Sequence, residues 1–418
     1  MSVPPKIHRA PSSLQRRRFL RLTGLFSGAV ALSATGFGCQ LGRNLRFDGD
    51  RNTGQSDDRV RIGYLPITDS APLLVAHEKR LLQQEGLESL QPQLYRSWGA
   101  IAKAFVERQV NVIHVLMPTS LWLRYHLKFP GKVVAWNHTN GSALTVHPSI
   151  QTPRELGGRT LAIPSWYSIH NVVLQLLLSK YGLTPVPTLP SESGSAGSRP
   201  AAHEVGLVVL PPPDMLKALA RQDIAGYIVA EPFNSAAETA QVGRILRLTG
   251  DVWRDHACCV VFMHEDDLRD RPQWTQGVVN AIVNAQQWAR WNRPELAHLL
   301  SQDGGGYIPH SVDVLDRVLN RHNHDAYRQS GAIQHPEWRS RRIDFQPFPF
   351  PSYTTDLVQC LQNTLLDDAG AFIHQLDPAF VTQDLVDDRF VTHAIHQRGG
   401  PQVFGLSQDL SRVESLDI

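Results

Sequence analysis

The chain has 418 residues, which is too long for one ordinary core and predicts two or three lobes at roughly 150 residues each. Hydrophobic residues make up 42% and charged residues 19%, a composition that excludes a disordered or fibrous protein. The net charge of +2 depends on residues 1–39, which contain six basic residues and no acidic one; the rest of the chain has 35 basic and 39 acidic residues. This balance does not favour binding to nucleic acid.

The pattern of residues 1–39 is typical of an export signal. Three arginines, Arg16–Arg18, precede Phe19 and an uncharged run from Leu22 to Gly38 that is rich in Gly, Ala and Ser. This arrangement resembles the twin-arginine signal, which exports folded proteins across the bacterial inner membrane. The run is shorter than the about 20 residues of a membrane span, so an uncleaved signal anchor is the alternative to a cleaved signal.

The four cysteines fall into two groups. Cys39 ends the apolar run and is the predicted lipidation site of a bacterial lipoprotein, although the residues just before it depart from the usual pattern. Residues 40–58 are polar and predict a tether between the membrane and the folded body. Cys258, Cys259 and Cys360 are predicted to be buried thiols, because their spacing matches no zinc motif.

Strand patterns alternate with helical patterns from residue 59 onward, which predicts an α/β protein with two open, mostly parallel sheets and covering helices. The predicted domains are a first part of lobe 1 at 59–147, lobe 2 at 148–249, and a return to lobe 1 with C-terminal helices at 250–418. Residues 185–202 are rich in Pro, Ser and Gly and predict a surface loop. The predicted strands cover 59–65, 90–96, 110–116, 132–136, 143–147, 160–163, 206–210, 226–229, 244–248 and 258–263; the predicted helices cover 71–84, 100–108, 120–127, 168–181, 214–221, a segment from 232, 273–292, 294–301, 313–319, 353–366 and a segment from 378.

Six segments occur in an order that identifies a family. They are Ile62–Ala76, Ser97-Trp98, Asn140-Gly141-Ser142-Ala143, Ser168-Ile169-His170-Asn171, the triple-proline segment Val208–Met215, and Gly226–Asn234. Together they resemble the substrate-binding proteins of nitrate/nitrite and bicarbonate ABC importers, with sulfonate- and taurine-binding relatives further away. The resemblance covers residues 60–292. It implies a two-lobed periplasmic-binding-protein fold of type II that closes over a small oxyanion and passes it to a permease.

The candidate ligand-binding residues lie in the loops of these segments, because open α/β sheets bind ligands beyond the carboxyl ends of their strands. Thr68, Asp69 and Ser70 are expected to cap the helix that follows while N–H groups point at the ligand, and for Asp69 a purely capping role is the alternative. The resemblance adds six loop residues as candidates: Trp98, Asn140, Gly141, Ser142, His170 and Pro212.

Two of these residues have side chains suited to an anion. Trp98 can form one wall of a pocket and donate its indole N–H, with core filling as the alternative. His170 is predicted in the first turn of a helix, where the positive end of the helix dipole disfavours the charged ring and leaves a neutral donor.

Glu231 is the remaining candidate, and its carboxylate would repel a naked anion. It could accept a proton from the ligand, bind a metal ion that accompanies the ligand, or hold the lobes together by a hydrogen bond to Trp98 or His170; the last role is preferred. In the bicarbonate branch of the family a calcium ion accompanies the ligand. Calcium is therefore the one cofactor considered, with Glu231 as its possible ligand, and otherwise no cofactor is expected.

One departure from the family leaves the ligand open. After Asp251–His256 the nitrate-type members carry a lysine that contacts the ligand, whereas this chain continues with Ala257, Cys258 and Cys259. Without that cation, nitrate or bicarbonate specificity cannot be carried over. Another oxyanion or a larger organic solute is equally open.

An enzyme and a sensory module are the two alternatives to a solute receptor. An enzyme could use Asp69, His170 and Glu231 as acid and base, but no nucleophile elbow, P-loop or metalloprotease motif is present. A sensory module would need an output domain, and residues 293–418 contain no such motif. The prediction is a non-catalytic, monomeric receptor in the periplasm or on the outer face of the inner membrane, anchored by lipid or signal, that works with an ABC permease and ATPase and binds no nucleic acid.

Overall fold

A computed structural model describes residues 58–188, 199–321 and 323–417. The predicted export signal, the lipidation site Cys39 and the tether up to residue 57 lie outside the described residues. Val60–Ile418 is one compact unit. Among the described residues, no helix is both long enough and apolar enough to cross a membrane.

Strands and helices alternate over the first two thirds of this unit, and helices dominate the last third. The strands are β1 (Ile62–Tyr64), β2 (Gln93–Leu94), β3 (Val112–Leu116), β4 (Gly131–Trp136), β5 (Thr139–Asn140), β6 (Ser142–Val146), β7 (Arg159–Ile163), β8 (Thr184–Pro187), β9 (Glu204–Val209), β10 (Gly226–Ala230), β11 (Arg244–Leu248), β12 (Cys259–His264) and β13 (Ile343–Asp344). The α-helices are α1 (Ala71–Glu78), α2 (Leu81–Gln84), α3 (Trp98–Val106), α4 (Met117–Leu121), α5 (Ile169–Lys180), α6 (Pro212–Ala220), α7 (Phe233–Thr239), α8 (Glu265–Asp270), α9 (Pro272–Trp291), α10 (Arg293–Leu300), α11 (Val312–Leu319), α12 (His324–Gln329), α13 (Pro351–Gln362), α14 (Pro378–Leu385) and α15 (Arg389–Gln397).

The first lobe is built on a five-stranded sheet with the order β2-β1-β3-β12-β4. β1 is parallel to β2 and β3, and β12 is antiparallel to β3 and β4. β3 and β12 are buried along their whole length. Both are mostly apolar, with His114 and His264 as the exceptions, as expected for strands in a sheet covered by helices on both faces.

The second lobe is built on a six-stranded sheet with the order β11-β6-β10-β7-β9-β8. β6 pairs antiparallel with β10 and β11, while β7, β8 and β9 run parallel to one another. Lobe 2 therefore begins at Ser142, before the predicted boundary at residue 148. The order of elements along the chain does not predict this boundary, because β6 belongs to the second sheet only through its pairing with β10 and β11, which come later in the chain.

The segment 185–202, predicted as a surface loop, begins with a strand. β8 pairs parallel with β9, and Thr184 lies opposite Glu204. Pro185 and Pro187 are tolerated because β8 is at the edge of the sheet, where a missing N–H costs no ladder hydrogen bond. Residues 189–198 lie outside the described part of the chain.

Two crossovers connect the lobes and touch each other. We call residues 137–141 the first crossover and residues 249–258 the second crossover. Thr139 bridges to Ala257, and β5 in the first crossover also pairs with β13 of the C-terminal region. The first crossover turns at Asn140 (φ 59°) and Gly141 (φ 79°), a left-handed conformation that Asn and Gly adopt most readily. This requirement explains the Asn-Gly pair of the sequence.

Candidate functional site

Four side chains that can bind a metal ion meet where the crossovers join the first lobe. Asp69, His138, Cys258 and Cys259, which we call the junction cluster, are all 0% exposed. One potential ligand atom from each lies within 4.8 Å of the others. The junction cluster therefore surrounds a space about the size of one ion.

Asp69 lies in a single 3₁₀ turn, Thr68–Ser70, between β1 and α1. Its carbonyl oxygen accepts a hydrogen bond from the Asn137 side-chain amide of the first crossover. The expected capping of α1 is wrong: the Ser70 hydroxyl donates to the Ile67 carbonyl at 2.7 Å instead, and no side chain caps the helix at Ser70. The turn leaves the Asp69 carboxylate free to point into the junction cluster.

His138 comes from the first crossover, and Cys258 and Cys259 come from the end of the second crossover and the start of β12. His138 Nε2 is 2.9 Å from Asp69 Oδ2. The same carboxylate oxygen is 3.4 Å from Cys258 Sγ and 3.2 Å from Cys259 Sγ. Neighbouring residues within a strand point to opposite faces, but Cys258 precedes β12, so both thiols reach one carboxylate.

Burial and mutual contact shift the pKa values in the junction cluster. Burial raises the pKa of Asp69 to about 6, although the charge of His138 opposes it. Burial lowers the pKa of His138, but the Asp69 carboxylate outweighs this effect and the pKa rises to about 10. Burial raises the pKa of Cys258, yet hydrogen bonding from Cys259 and the charge of His170 hold it well below its usual value. The pKa of Cys259 is raised by burial and by Cys258.

Ser142 and His170, two candidate ligand-binding residues of the second lobe, contact the junction cluster. His170 is in the first turn of α5, which Ser168 caps by accepting the Asn171 N–H at 3.1 Å. His170 Nε2 is 2.9 Å from Ser142 Oγ and 3.8 Å from Cys258 Sγ. The structure therefore brings Asp69, Ser142 and His170 together, as expected for an interlobe site.

Trp98 is buried at the start of α3, and its ring packs edge-on against His114 with the ring centroids 5.6 Å apart. His114 Nε2 accepts the Leu65 N–H at 3.0 Å, and burial lowers the pKa of His114 to about 3, which keeps the ring neutral. The indole Nε1 of Trp98 is buried without a hydrogen-bond partner among the described residues. The contact of Trp98 with His114 supports the prediction that Trp98 fills the core. The indole N–H is without a partner among the described residues, so donation of this N–H to a ligand stays a prediction.

Glu231 has a different role from those expected. Its Oε1 accepts two hydrogen bonds from Arg342, from Nε at 2.8 Å and from Nη2 at 2.5 Å, and its Oε2 accepts the Ser235 N–H at 3.1 Å. The expected hydrogen bond to Trp98 or His170 is therefore wrong, whereas the metal-ligand role stays a prediction for a carboxylate that already pairs with Arg342. The two lobes do meet at Glu231, since its carbonyl oxygen accepts the Thr68 N–H at 3.0 Å and the Thr68 hydroxyl at 3.1 Å.

Other predicted residues have structural contacts. The Asn140 amide donates to Asp255 Oδ1 at 3.0 Å and to the Arg341 carbonyl at 2.9 Å, which fixes the turn of the first crossover. Gly141 supplies the left-handed turn itself. Pro212 is buried in the first turn of α6, where a missing N–H costs nothing.

Sequence reasoning missed three members of the junction cluster. The prediction that Cys258 and Cys259 are buried thiols is confirmed. Their spacing along the chain does not indicate a metal site, because the residues that complete the cluster are Asp69 and His138. Two signals were present: the cysteine pair occupies the place of the family's ligand-binding lysine, and His138 lies two residues before the predicted Asn140-Gly141-Ser142 segment.

The two sheets and the buried polar groups between them define the class: the chain has the two-lobed type II fold of periplasmic binding proteins, as predicted. The periplasmic nitrate-binding protein NrtA from Synechocystis PCC 6803 has a TM-score of 0.67 at 17% identity, over 86% of this chain and 94% of that one. A ligand-binding component of an ABC-type import system from Staphylococcus aureus, solved with zinc bound, has a TM-score of 0.60 at 21% identity, over 80% of this chain and 98% of that one. At these identities the likeness shows the fold alone.

The chain belongs to the NMT1-like family, whose sequence profile matches residues 53–302. Part of the nitrate import ATP-binding protein NrtC from Synechocystis sp. is 29% identical over 255 residues, which is 57% of this chain. The chain spans 36% of the length of that relative. These findings confirm the resemblance to substrate-binding proteins of ABC importers.

Proposed function

We propose that the chain is the extracytoplasmic solute-binding component of an ABC importer and captures a small solute between its two lobes without transforming it. The observation that carries this proposal is the buried contact of Ser142 and His170, from the second lobe, with Cys258 of the junction cluster. A solute bound there would touch both lobes. Such a site favours the closed state, because a ligand shifts an equilibrium by its differential affinity for the two states.

Buried hydrogen bonds join the two lobes in the conformation described. Thr68 of the first lobe donates twice to the Glu231 carbonyl of the second, and the Thr119 hydroxyl on α4 donates to the Tyr167 carbonyl before α5 at 2.7 Å. All of these groups are buried. Opening the lobes would break these hydrogen bonds, so a bound solute that adds contacts across the lobes would offset their loss.

The expected ligand is a small oxyanion or a related small organic solute, and the charges at the interlobe contact constrain it. Neither the junction cluster nor the pair Ser142 and His170 contains Lys or Arg, and the nearby Arg342 is engaged by Glu231. The charged ring of His138 is paired with Asp69, so an oxyanion would bind mainly through hydrogen-bond donors, protonated or paired with a further cation. The hydrogen-bonding groups of His170 and Ser142 suit a small organic solute equally well.

The remaining predictions concern the cellular setting. The names of the similar proteins, a nitrate import ATP-binding protein and a periplasmic nitrate-binding protein, support an importer with a permease and an ATPase. The twin-arginine pattern and Cys39 support export of the folded chain and lipid anchoring on the outer face of the inner membrane. We propose that the chain works there as a monomer.

A ligand screen tests the proposal. The full chain is heated with nitrate, nitrite, bicarbonate with and without calcium, sulfonates and small organic solutes, and the compound that raises the melting temperature most is titrated by calorimetry. The His170→Ala variant should bind that compound at least about tenfold more weakly, or about 1.4 kcal/mol, with the fold intact. The matched control is His396→Ala, because His396 is exposed on α15. Equal affinity of the His170→Ala variant, or chemical conversion of the compound, would contradict the proposal.

A further inference from the structure

We infer that the junction cluster is a binding site for a single zinc ion, with Asp69, His138, Cys258 and Cys259 as its four ligands. This inference does not depend on the proposed function, because it concerns an ion held beside the interlobe contact and not the solute bound in it. The arguments are the geometry of the four ligand atoms, their chemistry, their burial and the rigidity of the backbone that carries them.

The distances fit a tetrahedral ion. Zinc binds thiolate at about 2.3 Å and imidazole or carboxylate at about 2.0–2.2 Å, so ligand atoms around it lie about 3.3–3.8 Å apart. In the junction cluster Asp69 Oδ2 is 2.9 Å from His138 Nε2, 3.4 Å from Cys258 Sγ and 3.2 Å from Cys259 Sγ. No pair of the four ligand atoms is more than 4.8 Å apart. Shifts of a few tenths of an ångström at the short contacts would admit the ion.

The donor set selects the metal. Two sulfur atoms, one imidazole nitrogen and one carboxylate oxygen match the ligands of structural zinc sites. Calcium and magnesium prefer oxygen ligands throughout, and the junction cluster offers only Asp69. The calcium considered from the family resemblance therefore does not fit these residues.

The second oxygen of the Asp69 carboxylate, the one that His138 does not contact, also indicates a cation. Asp69 Oδ1 is buried and has no hydrogen-bond partner among the described residues. A buried polar atom without a partner is costly and rare in native proteins. A cation beside the carboxylate would compensate it, whereas an anion would add repulsion.

The backbone around the ligands is fixed from several directions. The Asn137 N–H donates to the Cys259 carbonyl at 2.9 Å, and the Met117 N–H donates to the Cys258 carbonyl at 3.0 Å. The Gln286 side chain on α9 donates to the carbonyls of Trp136 and Asn137, both at 2.9 Å. Ligands held in this way are pre-organised, which is a requirement of a selective metal site.

Metal uptake by the full chain, purified in reductant and stripped with chelator, tests the inference. Titration with Zn²⁺ alone should give one ion per chain, and Co²⁺ alone should give the intense visible and near-ultraviolet bands of tetrahedral thiolate ligation. The Cys258→Ser/Cys259→Ser double variant should lose the sulfur bands and bind zinc at least about a hundredfold more weakly. Cys360→Ser is the matched control, since Cys360 lies on α13 outside the cluster, and it should leave both readouts unchanged.

The Asp69→Asn variant keeps the test decisive if the double cysteine variant fails to fold. It should retain the sulfur bands, alter the visible bands and weaken zinc binding. Absence of zinc uptake by the unmodified chain, or uptake that survives in the double cysteine variant, would overturn the inference. A chain that binds a solute in the ligand screen but no zinc would overturn the metal site alone and leave the proposed function standing.

Discussion

The ion pair between Glu231 and Arg342 gives a direct test of how the lobes are held. Glu231 directly follows the strand β10 of the second lobe, and Arg342 lies just before β13 in the C-terminal region. Both side chains are at most 1% exposed, and two hydrogen bonds join them. Replacing Arg342 with methionine keeps the apolar volume but leaves the Glu231 carboxylate buried without its partner.

The expected cost follows from burial. Breaking a fully buried ion pair by removing one partner typically costs about 3–5 kcal/mol, because an uncompensated charge remains inside. Arg342 also donates to Tyr327 Oη at 2.8 Å and lies 3.9 Å from the Glu238 carboxylate, so its loss removes compensation from a second, partly buried acid. We therefore expect the Arg342→Met variant to lose about 3–5 kcal/mol of unfolding free energy.

Urea unfolding of the full chain, followed by tryptophan fluorescence, measures this loss. Arg341→Met is the matched control: the Arg341 side chain is 49% exposed and its nearest acid, Asp344, is 3.6 Å away, so its loss should cost less than about 1 kcal/mol. The Glu231→Leu/Arg342→Met double variant should regain much of the loss, because a buried pair can be replaced by apolar residues. An Arg342→Met variant as stable as the control would refute this reasoning and free Glu231 for a ligand role.

Two further predictions concern the crossovers and the C-terminus. Tyr353→Phe should cost about 1–3 kcal/mol of unfolding free energy in urea, because the Tyr353 hydroxyl donates to the Ala257 carbonyl at 2.6 Å in the interior. Tyr95→Phe, which loses a surface hydrogen bond, is the control. Equal effects of the two substitutions would contradict the prediction. Burial raises the pKa of Asp417, but hydrogen bonds from Lys180 and His335 and the charge of Arg247 hold it below 3.8, so the stability it contributes is complete above that pH and is lost as the pH falls further. The protection factor for hydrogen exchange of residues 406–417, which is the intrinsic rate divided by the observed rate, should therefore fall below about pH 4, and the Asp417→Asn variant should show lower protection already at neutral pH. Protection factors unchanged by both would argue against this anchor.

Most of the fold could be predicted from the sequence, because local apolar patterns determine most of its strands and helices. The alternation of short apolar strands with helices predicted two parallel-rich sheets, and β3 and β10 occur where expected. The start of the second lobe was misplaced because β6 is assigned by antiparallel pairing with β10 and β11. The strand β8 was missed because its two prolines are a loop signal everywhere except at a sheet edge.

Only the candidate site residues that lie in segments resembling the family could be predicted from the sequence. Asp69, Ser142 and His170 lie in segments that resemble the family, and the structure brings all three together. The sequence could not predict the partner of Glu231, because Arg342 is 111 residues further along the chain. The pairing of β13 with β5 positions Arg342 beside Glu231. His138 was missed for the same reason, because only the packing of both crossovers places it beside Asp69.

Two groups of buried side chains lie near the interlobe contact, the junction cluster and the Glu231–Arg342 pair. With zinc bound, the cluster fastens the Asp69 turn of the first lobe to both crossovers, and zinc at a hundred times its dissociation constant would add about 2.7 kcal/mol of stability. The ion pair fastens the end of β10 to the C-terminal region. Opening the lobes would break, among other contacts, the hydrogen bonds from Thr68 to Glu231 and from Thr119 to Tyr167. Each such bond contributes only about 0.5–1.5 kcal/mol net, which lies within the range that a bound solute can offset.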